Sequence, residues 1–211
     1  VATDATYPAR VIEGWRVRWL DLRQRRTQRR LGRAYDRVCF PPPPDAFASY
    51  GERTHIAQPA RVELPGRIHL GSDTVILEHV WLSLVASFPD RPPTLRVGDR
   101  VWIGRACEIA CVGEIVIEDD VKISDGVHIG DTYHRYDVPG LPARKQPMAA
   151  PRAVRICRGA FINFGAIIHN GVTVGANAYV HAGAVVSRDV PPGAVVLGLP
   201  ARIVDRSQPW A

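Results

Sequence analysis

Seven histidines and four cysteines are the side chains here best able to bind a metal, move a proton or attack carbon, so their spacing comes first. Cys39, Cys107, Cys111 and Cys157 contain no CxxC pair, and Cys107 and Cys111 lack the second pair that a zinc knuckle needs. They read as reduced, mostly buried thiols of a cytoplasmic protein. His134 stands in a different setting. It lies in the segment 131–153, which has four prolines and reads Asp131-Thr-Tyr-His134-Arg-Tyr136-Asp-Val-Pro139-Gly-Leu-Pro142-Ala-Arg-Lys-Gln146 in its first part. Polar, aromatic and titratable groups concentrated in one aperiodic stretch mark a loop that carries function.

What must hold that loop is a repeat of six. From residue 154 the chain divides into VRICRG, AFINFG, AIIHNG, VTVGAN, AYVHAG and AVVSRD, with aliphatics at Ile156, Ile162, Ile168, Val174, Val180 and Val186. Val97, Ile103 and Ile109 keep the spacing, as do Ile117, Ile123 and Ile129, and earlier Leu70, Ile76 and Leu82. Six is neither the 3.6 of a helix nor the 2 of an ordinary strand. The spacing predicts a mainly β solenoid of short parallel strands, three hexads to a coil, with one inward aliphatic per hexad. Gly159, Gly165, Gly171, Asn177 and Gly183 fall where the corners need a left-handed residue. Single coils cannot bury their inner side, so the stack is the folding unit. Two extra residues between Ile109 and Ile117 predict a corner bulge at Val112–Gly113. Phe88 to Pro93 is a short loop, and the 27-residue step from Ile129 to Ile156 forces 131–153 out of the coil.

The rest of the chain is organised around that solenoid. Of 27 basic residues 25 are arginine, and ten of these lie between Arg10 and Arg37, opposed by Glu13, Asp21 and Asp36. Leu20, Leu22, Leu31 and Tyr35 give this stretch an incomplete helical stripe that Pro41 to Pro44 ends. The expected division is an N-terminal helical, Arg-rich segment and linker (1–60), the solenoid (61–204) and a short tail (205–211). The arginines read as a solvated cap, with weak contact to an anionic membrane surface or a polyanion as the alternative. No aromatic-basic platform accompanies them, so nucleic acid is not an expected partner. At 211 residues, 46% hydrophobic and 23% charged, the composition is that of a globular domain rather than a disordered chain. No stretch approaches the roughly 18 apolar residues of a membrane span. The N-terminus lacks the apolar core of a signal peptide, and a start at Val1 is expected to be processed or engineered.

The loop motif D-x-x-H-x-Y-x-x-P-x-x-P-x-x-x-Q, together with the closing run Val190-Pro-Pro-Gly-Ala-Val-Val-Leu-Gly-Leu-Pro-Ala-Arg202, resembles the hexapeptide-repeat acetyltransferases that modify sugars, of the maltose, galactoside and exopolysaccharide types. The resemblance covers about two-thirds of the chain, 68–204. It implies a left-handed parallel β-helix and transfer of acetyl from acetyl-CoA to a hydroxyl of a sugar or glycan, with no metal. His134 matches the family's catalytic histidine, whose imidazole would take the hydroxyl proton, an effect worth about 10²–10⁴-fold. Asp131, Tyr136 and Gln146 are assigned to the acceptor-facing loop. For acetyl-CoA the resemblance assigns Phe161, Asn163, Phe164, Ala182, Ser187, Arg188 and Arg202, with the guanidinium groups of Arg188 and Arg202 set to meet phosphate. A backbone N–H within 163–165 is the expected oxyanion donor. The family's site forms between subunits, which implies a homotrimer.

The sequence departs from the pattern in places. Thr132 replaces the first histidine of a common D-H-x-H, Phe161 a tryptophan, and Asn163 a glycine. Two other readings share the fold. One is an acetyltransferase acting on an antibiotic or other natural-product hydroxyl, and the other is a non-catalytic trimeric scaffold. A zinc-dependent carbonic anhydrase of this fold needs two histidines five residues apart, and no pair among His55, His69, His79, His128, His134, His169 and His181 has that spacing. His169 and His181, two hexads apart, fall on different sides of a coil and read as surface or subunit-seam residues.

Overall fold

The computed structural model describes residues 40–207. The helix expected across 10–38, its arginine cluster and Cys39 lie outside the described residues, as do residues 208–211 of the tail.

Short strands follow one another around three sides. Coil one carries β1 (Ser49–Tyr50), β2 (His55–Ile56) and β3 (Arg61–Val62). Coil two carries β4 (Ile68–Leu70), β5 (Val75–Ile76) and β6 (Trp81–Leu84). Coil three carries β7 (Thr94–Val97), β8 (Trp102–Ile103) and β9 (Glu108–Cys111), and coil four β10 (Glu114–Ile117), β11 (Lys122–Ile123) and β12 (His128–Gly130). Coil five carries β13 (Val154–Ile156), β14 (Phe161–Ile162) and β15 (Ile167–Ile168). Coil six carries β16 (Thr173–Val174), β17 (Tyr179–Val180) and β18 (Val185–Val186), before β19 (Val195–Leu197) and β20 (Arg202–Val204) finish the stack.

Every third strand joins the same sheet. Face A is β1-β4-β7-β10-β13-β16, face B runs from β2 through β5, β8, β11, β14, β17 and β19 to β20, and face C is β3-β6-β9-β12-β15-β18. The pairings are parallel except β19 with β20, whose antiparallel turn closes face B. All fifteen aliphatics of the hexad series are no more than 4% exposed and belong to one continuous core. Ile and Val dominate these positions because branched side chains fill a pleated inner wall. Replacing one such isoleucine with alanine would cost ~2–5 kcal/mol.

The register also counts the surplus residues. Ile156 pairs with Val174, the eighteen-residue coil expected of three plain hexads. Val97 pairs with Ile117, a coil longer by the two residues of the bulge. Leu70 pairs with Val97, and Ile117 with Ile156, so the loops before β7 and after β12 leave the stack without shifting it. The stack begins one coil before the boundary expected at 61, because Tyr50 and Leu70 are already in register.

The five corner residues expected to be left-handed all have positive φ, from 56° at Asn177 to 76° at Gly171. At the A–B corner the same backbone form is taken by Arg53, Asp73, Arg100 and Asp120. Their side chains pair up the corner, Arg53 with Asp73 and Arg100 with Asp120. These pairs are solvent-exposed and contribute little stability. Among the described residues no helix is long and apolar enough to cross a membrane.

Candidate active site

The loop after β12 is built from its base upward. The corner bulge leaves two backbone N–H groups, of Val112 and Gly113, with no ladder partner. The Asp131 carboxylate takes both, Oδ1 accepting from Val112 N at 2.9 Å and Oδ2 from Gly113 N at 2.7 Å. Asp131 is fully buried, and burial pushes its pKa up against the opposing pull of those amides. From this root the chain runs out and returns as an antiparallel pair. His134 pairs with Met148, Ala149 N donates to Tyr133 O at 2.9 Å, and the Thr132 hydroxyl donates to Ala149 O at 2.7 Å. Gln146 ties the tip: its Nε2 donates to the Val138 and Leu141 carbonyls, and its Oε1 accepts from Val138 N.

Of the three residues assigned to the acceptor, only Tyr136 is presented to solvent, at 77% exposure. Asp131 and Gln146 are turned inward and serve as staples, since a buried carboxylate or amide is held only where its hydrogen bonds are met. They brace the loop from within.

Beneath the loop is a cavity of about 470 Å³. His134 and Tyr136 line it from the loop; His128, Gly130, Ile167 and His169 line it from face C. The motif points to the first two. The others are the outward neighbours of the inward Ile129 and Ile168, so they form the floor wherever the loop folds back over face C. Their juxtaposition is hidden in the sequence because His128 pairs with Ile167, across the whole inserted loop. The Glu108 Oε2 lies 3.3 Å from His128 Nδ1, one coil below. His169 and His181 do lie on different faces, one following β15 and the other β17. Among the described residues no group of His, Cys, Asp or Glu is arranged to hold a metal ion.

The residues assigned to acetyl-CoA occupy another region. Phe161 meets the Tyr179 ring edge-on at 5.0 Å, with Lys122 Nζ 5.1 Å above it on the same face B. Asn163 Nδ2 donates to the Tyr179 hydroxyl at 2.8 Å. Phe164 is 63% exposed, and Ala182, Ser187, Arg188 and Arg202 are exposed as well. None of these seven is among the residues lining the cavity under the loop. The three amides at 163–165, where the oxyanion donor is expected, are all engaged in this structure, by Val180 O, Asn163 Oδ1 and Asp125 O. Only the Phe164 N–H is held by a side chain, so turning Asn163 is what would release it.

The thiols stand apart from this chemistry. Cys107 and Cys111 are buried and free, and burial raises their pKa to about 11 and about 12.

No family model matches the chain. Over 121 residues it is 39% identical to nodulation protein L of Rhizobium meliloti (strain 1021), covering 54% of this chain and 64% of that protein. Over 160 residues it is 24% identical to the galactoside O-acetyltransferase of Escherichia coli (strain K12), covering 76% of this chain and 64% of that one. The chain thus spans less than two-thirds of the length of these curated relatives. In structure it is similar to AntD, an N-acyltransferase from Bacillus cereus solved with dTDP and 3-hydroxybutyryl-CoA. The TM-score is 0.64 at 20% identity, covering 76% of this chain and 84% of AntD. At that identity the likeness is one of fold.

Proposed function

We propose that the chain is a hexapeptide-repeat O-acetyltransferase, wound as a left-handed β-helix, that moves acetyl from acetyl-CoA directly to a hydroxyl of a sugar or glycan. The observation that carries this reading is His134: an exposed imidazole on a loop braced by Asp131 and Gln146, facing a cavity large enough for a sugar ring. Acetyl-CoA, when bound, supplies a thioester whose thiol is a good leaving group. His134 takes the hydroxyl proton as the oxygen attacks the thioester carbon, and holds that proton for the departing sulfur. No acyl-enzyme is needed, which fits the burial of Cys107 and Cys111. The exposed guanidinium groups of Arg188 and Arg202 suit the phosphates of coenzyme A.

None of the residues assigned to the cofactor lines the cavity under the loop, which supports a homotrimer in which His134 of one subunit works with the cofactor region of the next. The free thiols fit a reducing compartment, the cytoplasm.

Thiol release from acetyl-CoA in the presence of sugar acceptors tests the reading. In His134→Ala the rate should fall at least about a hundredfold, with acetyl-CoA affinity and Tm unchanged, because the side chain is exposed and its backbone pairing survives. Parental turnover by the variant would refute the role.

A further inference from the structure

The floor of the cavity holds a second imidazole with a carboxylate beside it. His128 and Glu108 occupy the same outward position in adjacent coils of face C, directly in register, so their backbones are one strand spacing apart. The Glu108 carboxylate reaches His128 Nδ1 at 3.3 Å. An ionised carboxylate has no proton to give, so Nδ1 is the donor in this contact, and a neutral ring so paired has its lone pair on Nε2. Above it lies Ile167, which offers no polar competitor.

What Nε2 meets is set by Gly130. A Cβ at that position would sit 3.0 Å from His128 Nε2, at the edge of what packing tolerates. The glycine has an ordinary extended-strand role and no positive φ to require it, so the missing side chain acts by leaving space. It leaves Nε2 an open approach from the cavity that His134 faces from the loop. Both imidazoles therefore line the same space.

We propose that His128, positioned by Glu108, accepts a hydrogen bond from a second hydroxyl of the acceptor, adjacent to the one His134 deprotonates, so that the cavity selects a vicinal diol over a simple alcohol. The proposal rests on the acetyl-transfer reading and adds a specificity-determining residue to it. Glu108 is a positioning residue: it fixes the tautomer, and the carboxylate itself does not reach the acceptor. Gly130 keeps the approach clear.

Two measurements on the full chain test this. The side-chain ¹⁵N spectrum at about pH 8 should show His128 protonated on Nδ1 and bare on Nε2, and Glu108→Ala, which removes the acceptor, should abolish that preference. A His128 protonated on Nε2 in the parent would overturn the proposal whatever the variants do. The second measurement uses methyl glucoside, galactoside and mannoside with their monodeoxy forms. On the best of these, His128→Gln and removal of the neighbouring hydroxyl should each lower kcat/KM roughly tenfold, through KM rather than kcat, and together cost no more than either alone. Gly130→Ala should reproduce the His128 effect with both imidazoles intact. Losses that add, or a His128 variant with parental kinetics, would overturn the proposal. If no pyranoside is acetylated yet the sugars shift the His128 resonances and their deoxy forms do not, the site stands and the transfer reading falls. If neither transfer nor shift occurs, the site falls too.

Discussion

Burial, rather than sequence neighbours, sets the reactivity of the thiols. Cys107 Sγ donates to the Ser124 carbonyl at 3.0 Å, and Cys111 lies among buried groups beside Asp131. Desolvation disfavours both thiolates, and the nearby carboxylate adds to the effect at Cys111. Iodoacetamide at about pH 8 should leave both unmodified in the folded chain and label both once it is unfolded, as read by peptide mass. Native labelling of either would contradict the burial described. His134 is the opposite case, an exposed titratable side chain. Its proposed role could be read from the loop motif alone. That of His128 could not, because its partner Glu108 becomes a neighbour only when coils stack.

The loop and the corner bulge are one construction. Asp131 satisfies two amides that the bulge strands, and Pro151, at the loop's return, packs where a Gly113 side chain would stand. Asn at 131 has one acceptor where two amides need one each, and its NH₂ would face a donor. Asp131→Asn should therefore lower stability by about 1–3 kcal/mol, measured by urea unfolding, and reduce transfer by loosening the root of the loop. The sign of the pH dependence follows from the raised carboxyl pKa. The fold binds the proton more tightly than the unfolded chain does, so this group's contribution is present at low pH and lost as pH rises through the raised value. The parent should gain on the Asn variant as pH is lowered from about 6 towards about 4, the side on which an unfolded Asp still ionises. The bulge itself was legible as two surplus residues between Ile109 and Ile117. Its partner was not, since a loop aspartate reads as exposed until the count of stranded amides is known. The first coil was illegible for a different reason. Tyr50, Ile56 and Val62 do keep the six-residue spacing, but Tyr50 is aromatic and both it and Val62 are only half-buried. Terminal repeats of a stack depart from the pattern of those within it.

At the level of the whole molecule, the absence of the residues assigned to acetyl-CoA from the lining of the His134 cavity makes a prediction about assembly. The protein should sediment at about three times its chain mass. Mixing His134→Ala chains with Arg188→Glu chains should restore about a quarter of parental activity, since that share of random interfaces pairs an intact base with an intact arginine. A site wholly within one chain would recover nothing. The coil registers carry a further consequence. Coils of very different residue count, such as those from Leu70 to Val97 and from Ile156 to Val174, each rise by a single strand spacing of ~4.8 Å. Height along the axis is therefore quantised: it is counted in turns, and the number of amino acids drops out. His128 stands on the fourth level, Phe161 on the fifth and Tyr179 on the sixth. Descendants of this sequence can lengthen or redecorate the loop freely without altering those heights. The axial offset between the acceptor floor and the aromatic face can change only by an integer.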